Sequence, residues 1–581
     1  MNNIPRMEHP RPDLCRSEWI NLNGKWEFEI DNSVSGYERG FAKRTELSGS
    51  INVPFCPESR LSGVGNTDFM NAVWYRRDIE IPESWADKRV LLHIGACDYR
   101  TEIFVNGQKC GRTHNGGYTS FSVDITDKLV DGKGSVTVYA VDDTRSKSQV
   151  SGKQCVQLNS HGCYYTRTTG IWQTVWLEAV PKAHIVRYNP VSDVENGAVS
   201  IDVLTDGAVG AELTVEAFYR GKKMGEAGTR VAQRSTRLYV KLAEKHLWEP
   251  GEGRLYDLRF TLATPNSTDT VEGYFGLREI TLDRGGFLVN GKRVFGRFVL
   301  DQGFYPDGIY TAPTDEALIF DIEASMKLGF NGARLHQKVF EPRFFYHADR
   351  LGYMVFCETG NWGLDHTDPL KIYNFLPEWQ EEMERDMAHP SVIGWCPFNE
   401  TWDKEGRRQS NDFIELVYDV THSIDPTRPV VTNSGSFPCR SDLYDVHDYE
   451  QDPAIFRENY SKISEGIVNC QLMRRYGKSR IWYSKDQPVF VSEYGGIKWV
   501  LDEDNTAWGY GKSVNTEEEF LERLEGLTDV LLENKDIIAY CYTQLTDVEQ
   551  EQNGLLTYDR RFKFAPERIY PILAKKSVIE D

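Results

Sequence analysis

The sequence predicts a multidomain protein in which a β jelly roll and an immunoglobulin-like β-sandwich precede a C-terminal (β/α)8 TIM barrel. Three observations support this prediction. Short alternating strands separated by turn signals fill residues 1–183, and a second group of such strands fills residues 184–277. In residues 278–581, helical segments alternate with short apolar strands, which is typical of a parallel barrel.

The jelly-roll prediction for residues 1–183 depends on strands that alternate apolar and polar residues. The clearest of them are Lys25–Ile30, Val90–Ile94, Glu102–Val105 and Val136–Ala140. Asn106 and Gly107 directly follow the third of these strands and form an Asn-Gly hairpin signal. Many short strands with frequent turns indicate a sandwich or jelly roll.

The second domain, residues 184–277, is predicted to be an immunoglobulin-like sandwich. Ala198–Val203 and Ala211–Ala217 alternate regularly, and Arg254–Leu262 follows after turn-rich sequence. The length of just under one hundred residues suits such a sandwich.

The barrel prediction for residues 278–581 begins with a well-marked helix. Thr314 is a suitable N-cap, Leu318, Ile322 and Met326 recur at four-residue spacing, and Gly329 ends the segment. Further helices are predicted between the later strands, as in Trp379–Ala388 and Glu517–Glu533. The eight predicted strands are Val294–Val299, Phe330–His336, Tyr353–Cys357, Val392–Cys396, Pro429–Thr432, Leu443–His447, Pro488–Ser492 and Ile537–Tyr542.

Composition excludes several classes of protein. The net charge of −20 disfavours nucleic acid as a partner. The chain holds 11 cysteines without CxxC pairs, which fits a reducing compartment. Neither an apolar signal segment nor a run of about 18 apolar residues is present. We therefore expect a cytoplasmic protein that interacts with no membrane.

Two glutamates follow predicted barrel strands at the end where such barrels hold their active sites. Strand 4 leads into Glu400 and strand 7 leads into Glu493. Strands 4 and 7 lie nearly opposite each other in an eight-stranded barrel, so the two carboxyl groups can flank one substrate. Two carboxyl groups about 5 Å apart are the equipment of retaining glycoside hydrolysis. The pattern predicts Glu400 as acid/base and Glu493 as nucleophile.

Five neighbouring residues are candidates for substrate binding. Asn399 precedes the predicted acid, where an amide can bind a sugar hydroxyl. Tyr449, after strand 6, can donate to the nucleophile. Arg334 and Glu358 have two interpretations each, a role in the site or a structural ion pair. His336, at the end of strand 2, is a further candidate.

Tryptophan rings stack well on sugar rings, and four of them are candidates for that role: Trp172, Trp362, Trp395 and Trp499. Since the chain has 14 tryptophans, most of them must be core residues. We select Trp395 and Trp499 as substrate-binding candidates, and Trp395, within strand 4, has both interpretations, a core residue or a site residue.

The chain resembles glycoside hydrolase family 2, the family of β-galactosidases, β-glucuronidases and β-mannosidases, over nearly its whole length. The motifs in order are Arg11–Asp13, Leu22–Phe28, Val73–Arg77, Val105–Gly107, Gly170–Trp176, Phe330–His336, Phe398–Glu400, Asp442–Tyr449 and Ser492–Tyr494. The resemblance implies the same three domains in the same order. It also implies Glu400 as acid/base and Glu493 as nucleophile, with Asn399, Tyr449 and Arg334 lining the site.

The sequence departs from the subfamilies at positions that concern the substrate. Gly496 stands where β-galactosidases have a histidine. The region around Asn553–Arg561 lacks the Asn-x-Lys motif with which glucuronidases bind the sugar carboxylate. Lys338 or Lys498 is a possible substitute for that motif.

The sequence therefore predicts a retaining exo-β-glycosidase that acts on a small glycoside or oligosaccharide, with a β-galactoside as the leading substrate. A glucuronide or galacturonide, a furanoside or arabinoside, and a non-catalytic carbohydrate-binding protein remain alternatives. We expect no organic cofactor and no metal site, since Asp365 and His366 alone do not define a ligand set. A homo-oligomer is possible.

Overall fold

The structure is a computed structural model that describes residues 4–477, 480–484, 486–501 and 506–580. Its N-terminal part is a β-sandwich of a four-stranded and a six-stranded antiparallel sheet. The smaller sheet contains Trp19–Asn21, Val175–Val180, Arg89–Ile94 and Phe121–Asp124. The larger contains Gly49–Val53, Gly24–Ile30, Ala72–Glu80, Lys133–Val141, Arg100–Val105 and Gln108–Asn115. Cys97–Asp98 and Gly170–Ile171 form a separate pair.

The second part is a smaller β-sandwich with its own apolar core. One sheet contains His184–Asp193, Ala198–Asp206 and Ser235–Lys241. The other contains Lys222–Arg230, Glu212–Tyr219, Tyr256–Ala263 and Thr268–Phe275. Alternate residues of Ala198–Asp206 and Glu212–Tyr219 are buried, as expected where one face of each sheet covers the other.

The third part is a parallel barrel, which confirms the fold prediction. Its strands 1 to 8 are Gly296–Asp301, Gly332–Leu335, Met354–Glu358, Val392–Cys396, Asn433–Ser434, Tyr444–Asp448, Val489–Gly495 and Ile537–Thr543. Seven of them form one sheet in the order 4-3-2-1-8-7-6. Strand 5 pairs with Phe398–Asn399, which continues strand 4. A short three-stranded sheet, Ile280–Asp283, Gly286–Val289 and Lys292–Val294, precedes strand 1.

Helices connect most of the barrel strands. They are Asp315–Lys327, Pro342–Leu351, Ile372–Asp386, Asn411–Ile424, Pro453–Tyr460, Gln471–Tyr476, Glu517–Leu532 and Pro566–Leu573. Thr314 caps the first helix as predicted, because its side chain accepts a hydrogen bond from the backbone of Ala317. Among the helices of the described residues, none has both the length and the apolar content that a membrane crossing requires.

A loop of the jelly roll lies on the barrel at the end where strands 2 and 3 finish. The backbone N–H of Ser151 donates to Trp362 O at 2.7 Å, and that of Gly152 donates to Gly360 O at 2.8 Å. Gly152 has φ +56°, and a Cβ there would lie 2.1 Å from Gln337 O. Only glycine permits this approach, which brings residues of the first domain to the C-terminal end of the barrel.

Candidate active site

Glu400 and Glu493 lie close together at the C-terminal end of the barrel. Glu493 is within strand 7, and Glu400 directly follows the continuation of strand 4. A carboxylate oxygen of each residue and a ring nitrogen of His447 all lie within 4.8 Å of one another. Oxygen atoms this close fit the carboxyl separation of about 5–5.5 Å in retaining glycosidases better than the about 6.5–9.5 Å of inverting enzymes.

Three side chains, of which Arg334 and His447 are buried and Tyr449 is partly buried, surround the carboxylate of Glu493. Tyr449 OH donates to Oε2 at 2.5 Å, and Arg334 Nη1 donates to Oε1 at 3.3 Å. His447 Nδ1 lies 3.3 Å from Oε2. Burial would raise the pKa of this carboxyl, but His447, His336 and Arg334 outweigh it and lower the pKa to about 2. Glu493 is therefore ionised at neutral pH, as a nucleophile must be.

Glu400 has a different environment. Its side chain is 24% exposed, against 6% for Glu493. The backbone has φ +50°, a conformation that residues other than glycine rarely adopt, and its N–H donates to Ser434 O at 2.8 Å. This arrangement turns the side chain from the strand towards His447, whose Nδ1 is 2.9 Å from Glu400 Oε1.

His447 connects the two glutamates, and the sequence interpretation did not select it. Its Nε2 lies 3.0 Å from Ser434 Oγ, which itself donates to Asp445 Oδ2 at 2.5 Å. Since the serine proton points to Asp445, its oxygen accepts the Nε2 proton of His447. The Nδ1 atom then shares a proton with Glu400. Burial works against the charged ring, but Glu493 and Glu400 raise the pKa of His447.

Two local features place this ring. The register of strand 6 shifts between Val446 and His447, which redirects the histidine towards the site. Gly435 has φ +67°, and a Cβ at this position would lie 2.0 Å from His447 Nδ1. Gly435, directly after strand 5, was a signal in the sequence. It indicates the position of His447 only when the structure shows that the two residues are neighbours.

Asn399 has the free donor that its predicted role requires. Its Oδ1 accepts a hydrogen bond of 2.9 Å from Arg334 Nη2. Its Nδ2 is buried and has no hydrogen-bond partner among the described residues. Trp362 lies beside it and donates from Nε1 to Asn399 O at 3.1 Å. The amide group is therefore fixed by Arg334 and can donate to a bound sugar hydroxyl.

Glu358 and His336 lie beside Arg334 in the site. Protein groups engage both carboxylate oxygens of Glu358. Arg334 donates to Glu358 Oε1, while His336 Nδ1 lies 3.0 Å from Oε2 and Gln337 N donates to Oε2 at 3.2 Å. The structure thus contradicts a sugar contact by Glu358 and favours the ion-pair interpretation. His336 Nε2 faces the site and is 4.0 Å from Glu493 Oε1.

The structure contradicts the predicted role of Trp395, while that of Trp499 stays a prediction. Trp395 is 1% exposed, and its Nε1 donates to Asp425 Oδ2 at 2.8 Å on the helix side of strand 4. The ring of Trp499 packs against Phe520 and Phe564. The ring of Trp395 therefore belongs to the packing between strand 4 and the helices, whereas Trp499 Nε1 is buried without a hydrogen-bond partner among the described residues.

Gly496 permits an aromatic stack behind Glu493. The rings of Tyr449 and Tyr510 are parallel, with centroids 3.5 Å apart. A Cβ at position 496 would lie 2.4 Å from Tyr510 Cδ2. The family resemblance places a histidine at this position in β-galactosidases. Such a side chain is incompatible with the stack.

Glu400, His447 and Glu493 are also the described residues that could hold a metal ion. An ion there would take both carboxylates as ligands, and neither would be free for attack or proton transfer. We therefore propose that these residues serve nucleophilic and acid–base chemistry, and the absence of a metal site stays a prediction.

Comparison with protein families covers all three parts of the chain. The sugar binding domain of glycosyl hydrolases family 2 matches residues 20–181, the central domain of that family matches residues 183–278, and its TIM barrel domain matches residues 281–499. The chain belongs to glycoside hydrolase family 2. It is a glycoside hydrolase, which confirms the enzyme class that the motifs predicted.

Relatives within family 2 are mostly β-glucuronidases. The β-glucuronidase of Chlorocebus aethiops is 24% identical over 99% of this chain and 96% of its own length. A putative β-glucuronidase of Formosa agariphila is 25% identical over 76% of this chain, which spans 52% of that protein. A β-galactosidase of Thermoanaerobacterium thermosulfurigenes is 25% identical over 74% of this chain and 60% of its own length.

Solved structures agree on the fold. The β-glucuronidase of Ruminococcus gnavus in complex with D-glucuronic acid has a TM-score of 0.78 to this chain at 18% identity. The match covers 98% of this chain and 100% of that one.

Proposed function

We propose that this family 2 hydrolase is a retaining exo-β-glycosidase that removes a terminal uronic acid, with β-D-glucuronides as the leading substrates. The observation that carries the mechanism is the approach of the Glu400 and Glu493 carboxylate oxygens to within 4.8 Å. The jelly-roll loop over strands 2 and 3 closes one side of the site, which supports action at the end of a chain.

In the first step, the ionised Glu493 attacks the anomeric carbon while the protonated Glu400 donates its proton to the leaving oxygen. The bond to the aglycone breaks, and a glycosyl ester forms on Glu493. In the second step, Glu400 removes a proton from water, which attacks the anomeric carbon and releases Glu493. His447 holds the Glu400 carboxyl in place, and Asn399 can donate to a sugar hydroxyl beside the reacting carbon.

The substrate proposal differs from the leading expectation of the sequence, a β-galactoside. Two of the three relatives compared above are named β-glucuronidases, and one is named a β-galactosidase. The Tyr449–Tyr510 stack also leaves no room for a side chain at Gly496, where β-galactosidases have a histidine. The first observation supports a uronide, and the second argues against a galactoside.

A panel of p-nitrophenyl glycosides tests the proposal. It includes the β-D-glucuronide, β-D-galacturonide, β-D-galactoside, β-D-glucoside, β-D-galactofuranoside and α-L-arabinofuranoside. We expect the highest kcat/KM with the β-D-glucuronide. Efficient turnover of the β-D-galactoside without turnover of either uronide would contradict the substrate class. Turnover of none of the six would favour the non-catalytic alternative.

A further inference from the structure

Lys153 is a largely buried lysine beside the candidate active site. The residue is 5% exposed. Within the part of the chain that the structure describes, no hydrogen bond or ion pair engages its ammonium group. The three N–H donors of this ammonium group are therefore free for a bound ligand that supplies a negative charge.

The position of Lys153 follows from the jelly-roll loop that lies on the barrel. The N–H groups of Ser151 and Gly152 hold the loop on the backbones of Trp362 and Gly360. Lys153 Nζ lies 5.6 Å from the ring centroid of Trp362 and 5.9 Å from that of Tyr165. Since Trp362 donates to Asn399 O, one side chain separates the ammonium group from the catalytic strand end.

The charges around Lys153 place it at the substrate pocket. Burial and then the Lys153 ammonium lower the pKa of His336 well below its ordinary value, and His336 Nε2 is 4.0 Å from Glu493 Oε1. Glu551 is an acidic group whose charge interacts with Lys153. Its oxygens accept hydrogen bonds from Tyr165 OH and Asn553 Nδ2, and burial raises its pKa while Lys153 opposes that rise.

The two lysines that the sequence suggested for this role are engaged elsewhere. Lys338 Nζ donates to the backbone oxygens of Gly303 and Tyr310 at 2.5 and 2.8 Å. Lys498 Nζ donates to Ala507 O at 2.6 Å. Both ammonium groups donate to protein oxygens, whereas that of Lys153 donates to none among the described residues.

We propose that Lys153 binds the C6 carboxylate of the terminal sugar, so that a residue of the first domain determines the preference of the barrel for uronides. This inference rests on the proposed function. An ammonium group with three donors and no protein acceptor supplies a point charge for the carboxylate. It replaces the lysine of the Asn-x-Lys motif, which this chain lacks.

The test compares two substrates that differ only at C6, p-nitrophenyl β-D-glucuronide and p-nitrophenyl β-D-glucoside. K153M should lower kcat/KM for the glucuronide about 100-fold, as expected for loss of a charged hydrogen bond, and change that for the glucoside less than about threefold. K153R retains the charge and should keep glucuronide activity within about tenfold of the wild type. K147M is the matched control on the same loop, because Lys147 is exposed and pairs with Glu405, and both substrates should be unaffected.

Inhibition by D-glucuronate and by D-glucose gives a second measurement that does not depend on turnover of the glucoside. K153M should weaken inhibition by D-glucuronate about 100-fold and leave inhibition by D-glucose unchanged. Thermal melts of all variants verify folding, and if K153M fails to fold, K153Q takes its place.

The outcomes separate the inference from the function on which it rests. If the wild type hydrolyses the glucuronide and K153M lowers both substrates equally or neither, Lys153 does not bind the carboxylate and the proposed function stands. If the wild type hydrolyses neither the glucuronide nor the galacturonide and is not inhibited by D-glucuronate, the proposed substrate class and the inference are both wrong.

Discussion

The two glutamates of the site have the same chemistry and opposite surroundings. Glu493 is enclosed by Tyr449, Arg334 and His447, and its pKa is lowered to about 2. Glu400 is 24% exposed, and His447 is the side chain that holds it. The enclosed carboxylate is kept ionised, and in the mechanism that we propose the open one donates a proton to the leaving group. The difference shows how one barrel assigns two roles to one residue type.

The comparison predicts the largest effect at the enclosed glutamate. E493Q keeps the shape of the side chain and removes the nucleophile, so kcat should fall by about 10⁵-fold or more. Steady-state kinetics on the best glycoside of the panel measure it. E405Q, a change at an exposed glutamate, is the control and should retain wild-type activity. Activity of E493Q within tenfold of the wild type would refute the assignment.

The open glutamate should show a smaller effect that depends on the leaving group. In E400A, kcat/KM for an alkyl glycoside should fall about 10³-fold, because proton donation assists a poor leaving group most. A 2,4-dinitrophenyl glycoside needs no such assistance and should lose far less in its first step. Added azide should restore turnover by attacking the glycosyl ester directly. An equal loss with both leaving groups would argue against Glu400 as the acid.

Removal of the Tyr449 hydroxyl, a hydrogen-bond partner of Glu493, should make the surroundings of the two glutamates more alike. Tyr449 OH stabilises the charged form of Glu493, so Y449F raises the pKa of Glu493 from about 2. As pH falls, the variant should therefore lose activity at a higher pH than the wild type, and kcat/KM at neutral pH should fall about 10- to 100-fold. A pH–rate profile measures both. An acidic limb that does not move would contradict the role of this hydrogen bond.

The smallest effect on activity is expected at Trp395, which lies outside the surroundings of both glutamates. W395F removes the hydrogen bond to Asp425 and part of a core ring, so we expect about 2 kcal/mol less stability by denaturant unfolding. KM for the best glycoside should change less than twofold. An increase in KM of tenfold or more would return Trp395 to the substrate pocket.

The fold and the two glutamates were predictable because they depend on local pattern. Apolar runs and turn signals locate the barrel strands, and strand 4 was predicted with the bounds that the structure has, Val392–Cys396. Strand 5 was less well located, at 429–432 against Asn433–Ser434. The positions of Glu400 and Glu493 follow from the strands, since residues after parallel strands meet at one end of the barrel.

The remaining residues depend on features that a single sequence does not reveal. Strand 4 is buried on both faces, so its pattern did not show that Trp395 faces the helices. The register shift before His447 breaks the two-residue alternation that would have placed its ring. Lys153 reaches the barrel from another domain, through a contact that depends on Gly152.

The stereochemistry of hydrolysis tests the account most directly, because it requires both glutamates to act on one anomeric carbon. Proton NMR of the reaction with the best β-glycoside of the panel follows the anomeric signals before mutarotation. We predict that the β-anomer of the free sugar appears first and the α-anomer only later. Initial release of the α-anomer would mean a single displacement by water, and the assignment of Glu493 as nucleophile would be wrong.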